Sequence, residues 1–235
     1  MIHHKIKQPK KVLLVGPVLS YSGYGEHARC VLRSLISQLS DFDIYIAPTS
    51  WGATSTDTAN TPETRFINNC IAKHNNNKEN KYDISLQIAL PNEWKDLAAV
   101  NIGITAAVET DRCNPQWIQS CNQMNKVIVV SEHAGKSLTS MTYQTQDEHG
   151  NPSGMLKCNT PIAVVGYPIK SFENSSFSEQ LNLCKFNFLS IAQLSPRKNI
   201  YATLKWFVEE FYSEDVGLLM KSNLVNDSLG DKERA

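Results

Sequence analysis

Short apolar runs alternate with amphipathic stretches along most of this chain. Val12–Gly16 (VLLVG) is continuously apolar, as a strand buried on both faces should be. A Gly/Ser turn follows at Ser20–Gly25. From Glu26 to Leu39, residues Ala28, Val31, Leu32, Leu35 and Leu39 recur at helical spacing, which predicts a helix with one buried stripe. Asp43–Ala47 predicts the second strand, ended by Pro48. A helix is expected from Pro62 to His74, facing inward through Phe66, Ile67, Cys70 and Ile71. Ile84–Leu90 and Ile102–Val108 read as strands. Asn114-Pro115 suits a helix start, with Trp117, Ile118 and Cys121 on the inner face. Val127–Val130 and Ile162–Gly166 are further strands, and Ser131 is placed to cap a short helix. Polar Tyr143–Thr160, with Gly150, Pro152 and Gly154, reads as a surface insertion.

After Ser/Asn-rich Lys170–Asn182, which reads as an interdomain linker, the rhythm restarts. Phe186–Ala192 predicts a strand and Val216–Met220 another. Between them Ile200–Phe211 predicts a helix, with Ile200, Leu204, Phe207, Val208 and Phe211 on one face. Ser222–Ala235 reads as coil. Alternating strands and helices imply an α/β fold with a parallel sheet. The expected division is a Rossmann-like domain over 1–169, a linker over 170–184, and the start of a second Rossmann-like domain over 185–235. Strand, helix, strand cannot enclose an ordinary core, so the second domain is expected to be incomplete or very reduced.

Lys+Arg and Asp+Glu number 23 each in 235 residues, so net charge supplies no attraction to nucleic acid. The basic N-terminus, Met1–Lys11, precedes no apolar run long enough for a signal segment or membrane span, which leaves peripheral membrane contact open. The six cysteines contain no C-x-x-C pair, and no metal-ligand spacing is found. Buried, reduced thiols and a cytoplasmic location are expected.

Three places suggest chemistry. Ser22–Ala28 contains G-x-G-x-x-A, but Pro17–Ser22 separates it from the strand and no acid ends the second strand. Both features disfavour a nicotinamide or flavin site. Gly23 and Gly25 still allow close approach of a ligand to backbone at a helix start, against the alternative of an ordinary strand-to-helix turn. Glu109 follows a strand, where a carboxylate would orient or deprotonate an acceptor hydroxyl, or form a solvated salt bridge with Arg112. Arg197 and Lys198 stand at a helix start, against the dipole preference. They suit either a shared anion such as a diphosphate or an exposed basic turn. His27, His133 and His149 are scattered and assemble no triad.

With these pieces in order, the chain resembles retaining glycosyltransferases of the GT-B fold, in the large family 4-like group. The resemblance runs from about Val12 to Lys221. It rests on Ser22–Gly25, E-T-D-R at Glu109–Arg112, N-P-Q-W-I at Asn114–Ile118 and Cys121–Glu132. Pro161–Pro168 and F-L-S-I-A-Q-L-S-P-R-K-N at Phe188–Asn199 complete it. The resemblance implies glycosyl transfer from a nucleotide-diphosphate sugar, as co-substrate, to a hydroxyl of a glycan, lipid or protein acceptor, with no further cofactor and no metal. By resemblance Lys198 contacts the donor diphosphate, Gly23 and Gly25 line the acceptor side, and Glu109 lies among cleft-facing acceptor residues. The family more often has Arg where Gln193 stands, which implies a weaker contact there or its replacement by Arg197. The family's donor-binding region, with two spaced glutamates, has no counterpart before Ala235, so the chain by itself is expected to be of uncertain catalytic competence. The alternatives are a non-catalytic α/β binding module descended from such an enzyme and, further off, a nicotinamide-dependent oxidoreductase.

Overall fold

A computed structural model describes residues 8–52, 54–169 and 181–224. The chain divides into two compact units, Met1–Trp51 with Thr56–Ile169, and Gly52–Ser55 with Lys170–Ala235. Most of the expected linker and most of the expected C-terminal coil lie outside the described residues.

The first unit is built on a six-stranded sheet. Its strands are β1 (Lys10–Gly16), β2 (Phe42–Pro48), β3 (Ile84–Ile88), β4 (Val100–Thr105), β5 (Lys126–Val129) and, after a hairpin described below, β8 (Ile162–Val164). All neighbours pair in parallel, in the order β2-β1-β3-β4-β5-β8. This is the doubly wound order in which the first strand lies between the second and third, so the chain switches direction across the sheet between β1 and β3.

The helices are α1 (Gly23–Ile36), α2 (Pro62–Asn75), α3 (Pro115–Asn122) and α4 (Glu132–Thr139). Alternation along each strand sends side chains to opposite faces. Val12, Leu14, Ile44, Ile46 and Ile88 pack on one face with Ala28, Leu32 and Leu35 of α1. Val127 and Val129 point to the other, against Ile118 and Cys121 of α3 and Ala134 and Leu138 of α4. Helix α2 lies along the β2 edge. Its Ile67 and Cys70 join the α1 side, while Lys73 sits 4.2 Å over the Tyr45 ring and His74 Nδ1 meets Tyr82 Oη at 2.7 Å. Each helix begins at a polar cap. Ser22, Thr61, Asn114 and Ser131 all accept a hydrogen bond from a first-turn N–H, and Thr61 forms a reciprocal capping box with Thr64.

Several boundaries differ from the sequence pattern. Helix α1 begins at Gly23, not Glu26, because Ser22 closes the first turn onto Gly25 N–H and makes the Gly-rich turn itself helical. It ends at Ile36, so Leu39 is half-exposed beyond it. The expected insertion is a hairpin of β6 (Thr142–Gln146) and β7 (Pro152–Lys157). Tyr143, Leu156 and the following Cys158 pack it onto the α3 cluster. All six cysteines are free. Only Cys70, Cys113 and Cys121 are buried; Cys30, Cys158 and Cys184 are partly exposed, which corrects the expectation of uniform burial.

The second unit contains β9 (Phe186–Gln193), α5 (Ile200–Phe211) and β10 (Val216–Asn223), a parallel β–α–β. Phe188 packs on Phe207 and Phe211 of α5, while Leu189 and Ile191, on the opposite strand face, are exposed. Among the described residues, no helix is long and apolar enough to cross a membrane.

Candidate functional site

In open α/β sheets ligands gather at the carboxyl ends of strands, near the point where strand order reverses. Here that point is the end of β1, and the segment Pro17–Gly25 forms its rim. The segment is held from beneath by Arg29. The residue is only 8% exposed. Nη1 donates to the Val18 carbonyl at 2.9 Å and the Ser20 carbonyl at 3.0 Å, and Nε donates to Glu26 at 3.0 Å. Charge-assisted bonds to two carbonyls fix the rim's backbone before any ligand arrives. Tyr21 Oη adds a bond to Asp57 at 2.9 Å, which raises the Tyr21 pKa because the proton is shared with a carboxylate.

The two glycines occupy different surroundings. A Cβ on Gly25 would lie 2.0 Å from the Ser20 carbonyl oxygen, so Gly25 exists to let α1 approach its own rim. Gly25 is buried. Gly23 is exposed, and a Cβ there would meet nothing within 4 Å. Of the pair, Gly23 is the one whose backbone faces open space.

Between them, Tyr24 ties the rim to the end of β4. Its hydroxyl accepts from Ala106 N–H at 3.1 Å and lies 3.0 Å from Thr105 Oγ1, while its ring stacks on Trp51 at 3.9 Å. Just beyond, Ala107 adopts a left-handed backbone, φ 55°, braced by Thr105 Oγ1 accepting its N–H at 3.1 Å. Such a conformation in a residue with a side chain is strained, and strain of this kind concentrates where backbone must face a ligand. Glu109 lies in the exposed bend that follows. The fold therefore brings Gly23, Tyr24, Trp51, Thr105 and Ala107 to one end of the sheet, with Glu109 on the next stretch of chain.

His27, one turn into α1, is 8% exposed, and its buried Nδ1 has no hydrogen-bond partner among the described residues. Tyr167 packs edge-on against its ring at 4.9 Å. Burial lowers the His27 pKa and favours the neutral imidazole. Beside it, a cavity of about 410 Å³ runs along α1 over Leu86, Ile104 and Ile128. A second cavity, of about 540 Å³, lies on the opposite sheet face and carries Thr49, His74, Gln87, Glu93 and Lys95.

In the second unit, Gln193, Arg197 and Lys198 share one strand-to-helix turn. Gln193 ends β9, and Pro196–Lys198 form a single 3-10 turn with Lys198 N–H bonded to the Ser195 carbonyl at 3.0 Å. Asn199 then takes a left-handed conformation, φ 49°, and its side chain does not cap α5. Helix α5 starts at Ile200, so the cations precede it rather than occupy its first turn. Arg197 and Lys198 are both exposed. These residues and the Gly23–Glu109 set belong to different compact units.

The sequence reading missed Tyr24, Trp51, Thr105 and Ala107, whose association depends on contacts between distant segments. Arg29 was missed as well, because an arginine beside an apolar stripe reads as solvated until the carbonyls it binds are in view. Comparison of the chain with protein-family models and with curated proteins found no match.

Proposed function

We propose that this protein acts in nucleotide-sugar-dependent glycosyl transfer, with the rim at Gly23–Tyr24 on the acceptor side and the Gln193–Lys198 turn on the donor side. The observation that carries this reading is the turn after β9. Two exposed cations, Arg197 and Lys198, stand where a parallel β–α–β unit delivers its helix, and the side chain of Asn199 does not cap that helix. Cationic side chains beside unsatisfied helix N–H groups suit a diphosphate, and the same groups stabilise the charge that builds on a leaving nucleoside diphosphate.

The rim of the first unit suits an acceptor better than a second phosphate. It offers an exposed glycine and an aromatic stack, and its buried cation Arg29 is already committed to carbonyls. Glu109, on the stretch after the strained Ala107, is the carboxylate proposed to orient or deprotonate the acceptor hydroxyl. The end of β2, at Ala47-Pro48, carries no acid for a ribose diol, which weighs against a nicotinamide cofactor.

Calorimetric titration with UDP, GDP and ADP tests the reading. At least one is expected to bind, and Lys198→Ala is expected to weaken it about tenfold, about 1.4 kcal/mol. Indifference to all three nucleotides, or affinity untouched by Lys198→Ala and Arg197→Ala together, would overturn it. Binding without turnover of any sugar nucleotide would favour a non-catalytic module that retained the anion site.

A further inference from the structure

Three cysteines meet where α3 packs against the β6–β7 hairpin. Cys121 is fully buried on the inner face of α3, Cys113 lies in the same cluster, and Cys158, just after β7, packs against them while partly exposed. The chain on both sides of Cys158 is clamped to α3. Asn122 Nδ2 donates to the Lys157 carbonyl at 2.8 Å, and Asn122 Oδ1 accepts from Asn159 N–H at 2.8 Å. Thr160 Oγ1 donates to the Cys121 carbonyl at 2.7 Å. One asparagine side chain thus spans the two residues flanking Cys158 and holds that stretch against the end of α3 that carries Cys121, with Cys158 Sγ 4.0 Å from the Thr160 carbonyl.

We propose that Cys158 and Cys121 are a reactive dithiol pair that takes low-molecular-weight disulfides as oxidant and closes to an intramolecular disulfide pinning the hairpin to α3. Cys158 is the attacking member because it alone of the three reaches solvent. A hydrogen bond from Cys121 also favours its thiolate and holds its pKa below the ordinary thiol range. Cys121 and Cys113 are pushed the other way, Cys121 by that same bond and by burial, Cys113 chiefly by burial. In the first step the Cys158 thiolate attacks one sulfur of the oxidant's S–S bond, forming a mixed disulfide and expelling the other half as a thiolate. Cys121 then gives its proton to solvent or to that thiolate and attacks Cys158 Sγ, which releases the second half. Two protein thiols are oxidised and one small disulfide is reduced to two thiols. Asn122 keeps the second step short by holding the Cys158 stretch against the end of α3 that carries Cys121.

The test is oxidation of the folded full chain with oxidised glutathione, followed by alkylation of remaining thiols and peptide mass mapping. A Cys121–Cys158 cross-linked peptide is expected, with loss of two of the six thiols. In Cys121→Ser the reaction is expected to stop at a glutathione adduct on Cys158, formed at least about tenfold faster than on Cys30 or Cys184, as an activated thiol requires. Cys113→Ser is expected to leave the cross-link unchanged. Adducts spread evenly over the cysteines, a cross-link through Cys113, or no cross-link at all would each overturn the proposal. The map of the unmutated chain decides the matter even where Cys121→Ser fails to fold.

Discussion

At the residue scale the two glycines of one turn make opposite predictions. Gly25→Ala drives a methyl into the Ser20 and Pro17 carbonyls, at 2.0 and 2.9 Å. Both are backbone atoms already engaged, the Ser20 carbonyl by Arg29 and the Pro17 carbonyl by Ser20 N–H, so relief requires moving the rim. The expected loss is about 3 kcal/mol in urea unfolding, the upper end of the overpacking range. Gly23→Ala adds a methyl to open space and is expected to stay within about 0.5 kcal/mol in the same measurement. His27 carries a pH signature. Its folded pKa lies below the ordinary 6.5, so the unfolded chain binds its proton first as pH falls. The stability from keeping His27 neutral is complete above about pH 6.5 and is lost as pH drops toward the folded pKa. Stability measured from pH 8 to pH 5 is expected to fall less steeply in His27→Phe than in the parent; identical slopes would show that His27 does not contribute.

At the scale of elements, polar side chains set how strands and their connections fit. Asn101, buried in β4, accepts from Ser85 Oγ at 2.6 Å and from the N–H groups of Leu97 and Ala98 at 3.0 and 3.1 Å. It donates to Asp96 and to the Ala98 carbonyl. Gln87 grips Lys95 from β3 in the same way, with its N–H and carbonyl both bonded. This lattice replaces the helix that ordinarily joins two parallel strands. Asn101→Ala strands several buried donors, each costing about 1–3 kcal/mol before relaxation. A loss of about 3 kcal/mol is expected by denaturant titration, with an unchanged slope; a change under about 1 kcal/mol would mean water fills the gap. The existence of β3 and β4 was legible from apolar runs. The lattice was not, because Asn101 and Gln87 look like interruptions of a buried strand until the loop they hold is in view.

At the scale of the whole chain, binding of a nucleoside diphosphate at the Arg197–Lys198 turn is expected to raise the melting temperature. Linkage supplies about 2.7 kcal/mol at a hundredfold excess over Kd. Because both cations are exposed, that shift is expected to shrink as salt is raised from low to about 0.5 M, and to disappear in Lys198→Ala with Arg197→Ala. A salt-insensitive shift would place the ligand elsewhere. Half of this candidate site was legible in one dimension: Gln193, Arg197 and Lys198 are near neighbours in sequence, and a strand, a Pro turn and an amphipathic helix around them are local features. The rim of the first unit was legible only as a glycine turn, since Tyr24 and Thr105 stand 81 residues apart.

By itself the sequence determined the alternation of strands and helices, the caps at Asn114 and Ser131, and the inward stripes of α1, α2 and α3. These follow from backbone sterics and from side chains within one or two turns of each other. Only the tertiary structure decided the strand order 2-1-3-4-5-8, the inward turn of Arg29, the left-handed Ala107 and the meeting of Cys121 with Cys158. Each depends on which distant segments become neighbours, and a free energy shared between remote residues leaves no period or motif at either one.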